Sequence, residues 1–133
     1  MIVVDSSSSA LIAILLGEPE KQAFEDIIAG GKPCVMSAVN AHKTATVLRL
    51  RHGTAAVERF WPLLADSEID IVPFDEQQVR AAAIAFDLYG KGINPRAWLN
   101  LSDCAACALA KTMNAPLLFK GDDFTQTDLQ SCL

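Results

Sequence analysis

Four short apolar runs are spaced along the chain, and a helical pattern follows each of the first three before the next begins. Ile2-Val3-Val4 ends at Asp5, Cys34-Val35-Met36 follows Gly30-Gly31, Ile69-Asp70-Ile71-Val72 alternates, and Pro116-Leu117-Leu118-Phe119 comes last. Short β-branched runs of this kind suit strands covered on both faces, and strands joined through helices pair in parallel. The alternation predicts an α/β fold with a central parallel sheet of four or five strands flanked by helices. A chain of 133 residues has room for one such core and not for two, so residues 1–133 are read as one domain.

The helical stretches carry their own punctuation. Ser6 to Ser9 precede the apolar run Ala10 to Leu16, which Gly17 closes. Pro19 opens a second stretch with Phe24, Ile27 and Ile28 at helical spacing. A long helix is predicted from Ser37 to Gly53, and Thr54 is expected to cap the next, through Leu64. Asp75 starts a helix towards Gly90, residues 90–100 form a loop, and Ser102 is expected to cap a helix from Asp103 to about Thr112.

Charge narrows the function. Eleven basic and sixteen acidic residues leave a net charge of −5, which disfavours a domain that grips nucleic acid by a broad basic surface. An acidic protein still acts on RNA when cations neutralise its site. The apolar run Ala10–Leu16 is seven residues long against the roughly twenty of a membrane span, and Met1-Ile2-Val3-Val4-Asp5 ahead of it carries no positive charge, so no signal peptide is expected. A cytoplasmic protein with reduced thiols and no membrane partner is expected. Cys104-Ala-Ala-Cys107 has CxxC spacing, but zinc takes about four ligands, and Cys34, Cys132, His42 and His52 are remote in sequence. All four cysteines therefore read as small buried side chains.

The acids stand where strands end. Asp5 follows the first strand, Asp122 and Asp123 follow the last after Lys120-Gly121, and Asp103 sits in the first turn of its helix. Ligands of open parallel sheets collect beyond the carboxyl ends of the strands. Carboxylates converging there repel unless a cation joins them, and all-oxygen ligands favour Mg²⁺ or Mn²⁺ over zinc. Asp at a helix start is also a common cap, and Asp after a strand is common turn chemistry, so each acid alone has an ordinary structural explanation.

Taken together the motifs are specific. Met-Ile-Val-Val-Asp5, then Ser-Ala-Leu-Ile-Ala-Ile-Leu-Leu-Gly-Glu-Pro-Glu, resembles the opening of PIN-domain ribonucleases, and most closely VapC-type toxins of bacterial toxin–antitoxin pairs. Ser37-Ala38-Val39-Asn40 resembles the start of that family's third helix. Leu99-Asn100-Leu101-Ser102-Asp103-Cys104, and Leu117 to Phe124 with Thr127-Asp128, resemble its closing motifs. The resemblance implies a PIN-like fold and a Mg²⁺-dependent endoribonuclease that hydrolyses RNA phosphodiesters. It implies a homodimer and a cognate antitoxin as inhibitor. It also implies catalytic and metal-holding roles for Asp5, Asp103 and Asp122, with Ser7, Ser9 and Asp123 as auxiliaries.

Two departures from the family pattern stand out. The position expected to be a glutamate is Lys43, and no acid lies between Ile28 and Arg49 to replace it. Three carboxylates and an ammonium give a site charge of −2 where four carboxylates would give −4. At an effective dielectric near 20, a unit charge about 5 Å from a divalent ion contributes at most about 6–7 kcal/mol, here repulsive. Impaired metal binding is expected, unless Lys43 pairs with Asp5 and Asp103 or contacts a phosphate instead. The second departure is Ser6–Ser9, four residues where the family usually has two.

The alternative to a working enzyme is a catalytically inactive PIN fold that retains antitoxin binding and dimerisation. A phosphoacceptor signalling domain would need paired acids near the first strand, and the sequence has none there. Leu11, Ile14, Leu15, Trp61 and Leu64 are candidates for an antitoxin groove or for ordinary core packing. Arg49, Arg51 and Lys120 are candidates to steer RNA or merely solvated surface.

Overall fold

A computed structural model of the chain describes residues 1–5, 10–119, 124, 127 and 128. In chain order the elements are β1 (Ile2–Val4), α1 (Ala10–Leu16), α2 (Lys21–Ile28), β2 (Cys34–Ser37), α3 (Ala38–His52), α4 (Thr54–Asp66), β3 (Ile69–Val72), α5 (Glu76–Tyr89), α6 (Leu101–Met113) and β4 (Leu117–Leu118). The four strands form one parallel sheet in the order β3-β2-β1-β4. The register sets Val3 opposite both Val35 and Leu117, and Val35 opposite Asp70.

Alternation along each strand divides the core into two layers. Ile2, Val4, Cys34, Met36 and Leu118 face a cluster completed by Leu11, Phe24, Leu48 and Phe60 from the first four helices. Val3, Val35 and Leu117 face the opposite way, onto α6 and Ala85 of α5. Sheet residues buried on both faces account for the unbroken apolar runs in the sequence. Helix α6 is enclosed along Ser102–Ala110, and its run of alanines and cysteines lets it approach the sheet closely.

The order of strands matters for function. From β1 the chain moves outward through β2 to β3, then returns to add β4 on the other side of β1. The sheet thus changes winding direction between β1 and β4, the place where open parallel sheets hold ligands.

Several boundaries differ from expectation, each for a local reason. Thr54 is the first residue of α4, and the cap position is Gly53 at φ +84°, a conformation natural to glycine. Ser102 is not the cap of α6: Asn100 is, because its side chain accepts from the Asp103 amide and Asp103 returns a bond to the Asn100 amide. Helix α2 begins at Lys21, after Glu20, rather than at Pro19. β4 is only Leu117–Leu118, although the Pro116 carbonyl still accepts from the Val3 amide at 3.0 Å. Ser37, Gly53, Asp75, Gly90 and Gly17 stand at helix ends as read.

Candidate active site

Asp5 leaves β1 at the winding switch. Its amide donates to the Leu118 carbonyl at 3.0 Å, which ties it to the end of β4, and its residue is only 2% exposed. Asp103, also 2% exposed, is held in the first turn of α6. Its Oδ2 accepts from the Asn100 amide at 3.0 Å, while Asn100 Oδ1 accepts from the Asp103 amide at 2.9 Å. One oxygen of Asp103 therefore serves the helix cap. The structural explanation of Asp103 is real, and any chemical role is additional to it.

Helix α3 supplies the third part. Ser37 caps α3 directly at the end of β2, so its first two turns lie at the same sheet edge. Asn40, Lys43 and Thr44 follow helical spacing and share one side of α3. Asn40, fully buried, donates from Nδ2 to the Ser102 carbonyl at 2.9 Å. Half-buried Lys43 donates from Nζ to Ser102 Oγ at 2.8 Å. Ser102 Oγ donates onward to Asn100 Oδ1 at 2.9 Å, and Thr44 Oγ1 closes back on the Asn40 carbonyl. Position 43 thus lies against the first turn of α6, one residue from Asp103.

Ser7, Ser9, Lys120, Asp122 and Asp123 fall outside the described residues. Phe119 and Phe124, which flank 120–123, are buried with ring centroids 5.0 Å apart. Arg49 and Arg51 are exposed in the last turn of α3, which at 1.5 Å per residue is about 9–12 Å along the axis from Lys43. Leu11, Ile14 and Leu64 are core residues, Leu15 packs against that core, and Trp61 is exposed beside Phe60. Cys34, Cys104 and Cys107 are buried free thiols, whereas Cys132 is outside the described residues. Burial pushes the Cys104 thiol up to about 11 and Cys107 to about 12, so both are packing groups rather than thiolate ligands.

Sequence reasoning missed the polar clasp of Asn40, Asn100 and Ser102. Its signal was present in the shared α3 face of Asn40 and Lys43, and in an Asn three residues before an Asp at a helix start.

The PIN domain family matches residues 2–129. The chain belongs to the PIN domain family. Curated relatives of this PIN domain include Ribonuclease VapC30 of Mycobacterium tuberculosis, 38% identical with 96% of this chain and 95% of the relative covered. Ribonuclease VapC of Mycolicibacterium smegmatis is 38% identical, covering 96% of this chain and 97% of its own. Among solved structures, Mycobacterium tuberculosis VapC20, described as a sarcin–ricin loop cleaving toxin, superposes with a TM-score of 0.75 at 14% identity. That match covers 97% of this chain and 96% of VapC20. A toxin–antitoxin complex from Klebsiella pneumoniae gives a TM-score of 0.66 at 19% identity, over 96% of this chain and 92% of the other.

The residues suit a hard divalent cation in part. Two buried carboxylates present oxygen donors, and buried charge of one sign requires compensation. Among the described residues no group of three His, Cys, Asp or Glu side chains converges. The nearby ammonium of Lys43 supplies positive charge where a further carboxylate would draw a metal in.

Proposed function

We propose that this PIN domain, taken over residues 1–133, is a VapC-type endoribonuclease toxin dependent on Mg²⁺ or Mn²⁺ and weakened by Lys43. The observation that carries the reading is buried Asp5 where β1 ends beside β4, together with buried Asp103 in the first turn of α6. The VapC ribonucleases similar over nearly the whole chain support it. In this reading Asp5, Asp103 and Asp122 hold the cation, and Ser7, Ser9 and Asp123 assist in orienting water or phosphate. The cation, when bound, readies a water and offsets charge on the phosphodiester.

The same reading assigns the protein to the cytoplasm, a cognate antitoxin as partner and a homodimer as its assembly. Val79, Phe86 and the 83% exposed Leu101 border an apolar groove of about 380 Å³ between α5 and α6, a face suited to pairing. No described helix is long and apolar enough to cross a membrane.

A second reading, a PIN fold that binds its partner without cleaving, draws on the Lys43 ammonium bound to Ser102, the residue before Asp103. Cleavage of a mixed RNA pool in Mg²⁺ or Mn²⁺, with EDTA as control, separates the two when the native chain, Lys43→Glu and Asp103→Asn run together. Cleavage by the native chain and by Lys43→Glu, lost in Asp103→Asn, supports the enzyme. Cleavage by Lys43→Glu alone supports the binding module, and cleavage unaffected by Asp103→Asn removes Asp103 from the mechanism.

A further inference from the structure

The loop over residues 90–100, between α5 and α6, holds a tryptophan that the packing of the fold does not require. Trp98 is 59% exposed, while its neighbours Ala97 and Leu99 are buried. Its backbone sits at φ +58°, in the left-handed region that a bulky side chain rarely adopts. An exposed apolar ring and a strained backbone both work against stability, and such residues persist where the surrounding structure holds them for a function.

The surrounding structure does hold this one. Asn94 Oδ1 accepts from the Arg96 amide at 2.8 Å and the Ala97 amide at 3.2 Å, and its Nδ2 donates to the Leu88 carbonyl at 2.9 Å. The Lys91 amide donates to the Leu99 carbonyl and the Leu99 amide to the Tyr89 carbonyl, both at 2.9 Å, which closes the loop at its base. Trp98 Nε1 donates to the Pro95 carbonyl at 2.6 Å, so the polar group of the indole is satisfied and its plane is fixed. The Lys91 ammonium stands 5.8 Å from the ring centroid. A ring held in this way loses little freedom when a flat partner stacks on it.

Charge and position select the partner. Residues 88–102 contain Lys91 and Arg96 and no acid, in a chain of net charge −5. An unpaired nucleotide offers a π face beside a phosphate, and this loop offers an aromatic ring beside an ammonium. Trp98 lies two residues before Asn100, whose amide is 3.0 Å from Asp103 Oδ2. With consecutive Cα atoms about 3.8 Å apart, the Trp98 Cα is within about 10 Å of that carboxylate. We propose that Trp98, with Lys91 at its ring, is a stacking platform for an unpaired RNA base that holds a single strand across the start of α6. The choice of RNA rests on the ribonuclease reading above, whereas the platform rests on the geometry of the loop.

The chain has two tryptophans, Trp61 and Trp98, so Trp61→Phe leaves Trp98 as the only indole and the loop untouched. The test follows its emission during titration with single-stranded oligouridylate in EDTA, which blocks metal-dependent cleavage. Quenching is expected with the single strand, and not with an abasic strand of the same length or with the strand paired to oligoadenylate. Trp98→Ala, checked as folded by a thermal melt, is expected to weaken oligouridylate binding at least about fivefold by anisotropy, the low end for one base–aromatic stack, and Trp98→Phe to restore most of it. Lys91→Gln is expected to keep the quenching and to lower the salt slope by about 0.7, the value for one phosphate contact on a single strand. No quenching by the single strand, or equal quenching by the abasic strand, would overturn the platform. Unchanged RNA affinity in Trp98→Ala would do the same, and a changed oligomeric mass alongside it would assign the residue to a protein interface. If the native chain or Lys43→Glu still cleaves a mixed RNA pool in Mn²⁺, the ribonuclease reading survives that failure. Neither binding nor cleavage in any condition sinks both.

Discussion

Replacing Lys43 by glutamate is expected to raise affinity for Mn²⁺ or Mg²⁺ by about tenfold. The Lys43 ammonium is 2.8 Å from Ser102 Oγ, and Ser102 adjoins Asp103 in the first turn of α6. Taking a separation of about 7 Å, a divalent ion at Asp103 and a unit charge interact in water by about 1.2 kcal/mol. The substitution changes the charge by two units, from repulsive to attractive, so the difference is about 2.4 kcal/mol even at the dielectric of water. Half burial of Lys43 raises this figure, while salt with a Debye length of about 8–10 Å lowers it. Screening alone would leave about 1.0–1.2 kcal/mol, about five- to eightfold in Kd, and burial lifts the difference to about tenfold. The assay is calorimetric titration with Mn²⁺ at fixed ionic strength, repeated with Asp103→Asn added to Lys43→Glu. The second variant must lose most of the gain. A Kd within threefold of the native chain would refute the reasoning, since it would put position 43 outside the field of the ion.

Other consequences follow from the same contacts. Asn40→Ala removes the bond to the Ser102 carbonyl and is expected to cost about 1–2 kcal/mol, read as a lower urea midpoint; an unchanged midpoint would mean the α3–α6 clasp contributes nothing. Cys107, its thiol pushed up to about 12 by burial, should resist iodoacetamide at pH 8 until the chain unfolds, and rapid labelling of the native state would contradict its packing role. The Lys111 ammonium holds the Asp128 carboxyl below its usual range, so the unfolded chain takes up that proton first as pH falls. The contribution is present above the ordinary carboxylate range and lost as pH drops through the depressed folded value. Asp128→Asn should therefore flatten the acid limb of stability slightly, because both side chains are about half exposed, and an identical limb would show the pair to be inert.

The strands were legible because parallel sheet residues are buried on both faces, and Ile2-Val3-Val4 and Cys34-Val35-Met36 carry that requirement in every residue. Helix ends were legible where one side chain decides them, as at Ser37 and Asp75. They were misread where two candidates compete. Ser102 and Asn100 both qualify as caps of α6, and Asn100 prevails because Asp103 stands three residues on to complete the reciprocal pair. Thr54 lost its place to Gly53 because the chain turns between α3 and α4 through a positive φ. The carboxylates Asp5 and Asp103 were visible as acids at strand and helix ends. Which side of α3 meets α6 was not, since that depends on helix rotation rather than on any local pattern.

That rotation gives Lys43 its significance. Asn40 and Lys43 are one turn apart on α3, and both reach Ser102, one through its carbonyl and the other through its hydroxyl. The contact from Asn40 is buried and uncharged, so it fixes the approach of α3 to α6 whatever residue stands at position 43. A glutamate there would be carried to the same edge as the lysine and would add its charge to Asp103. The scaffold is thus compatible with either sign, and the side chain at position 43 sets how strongly the edge draws a cation. Because the clasp does not depend on that choice, exchanging Lys43 alters the charge of the site while leaving the fold that presents it in place.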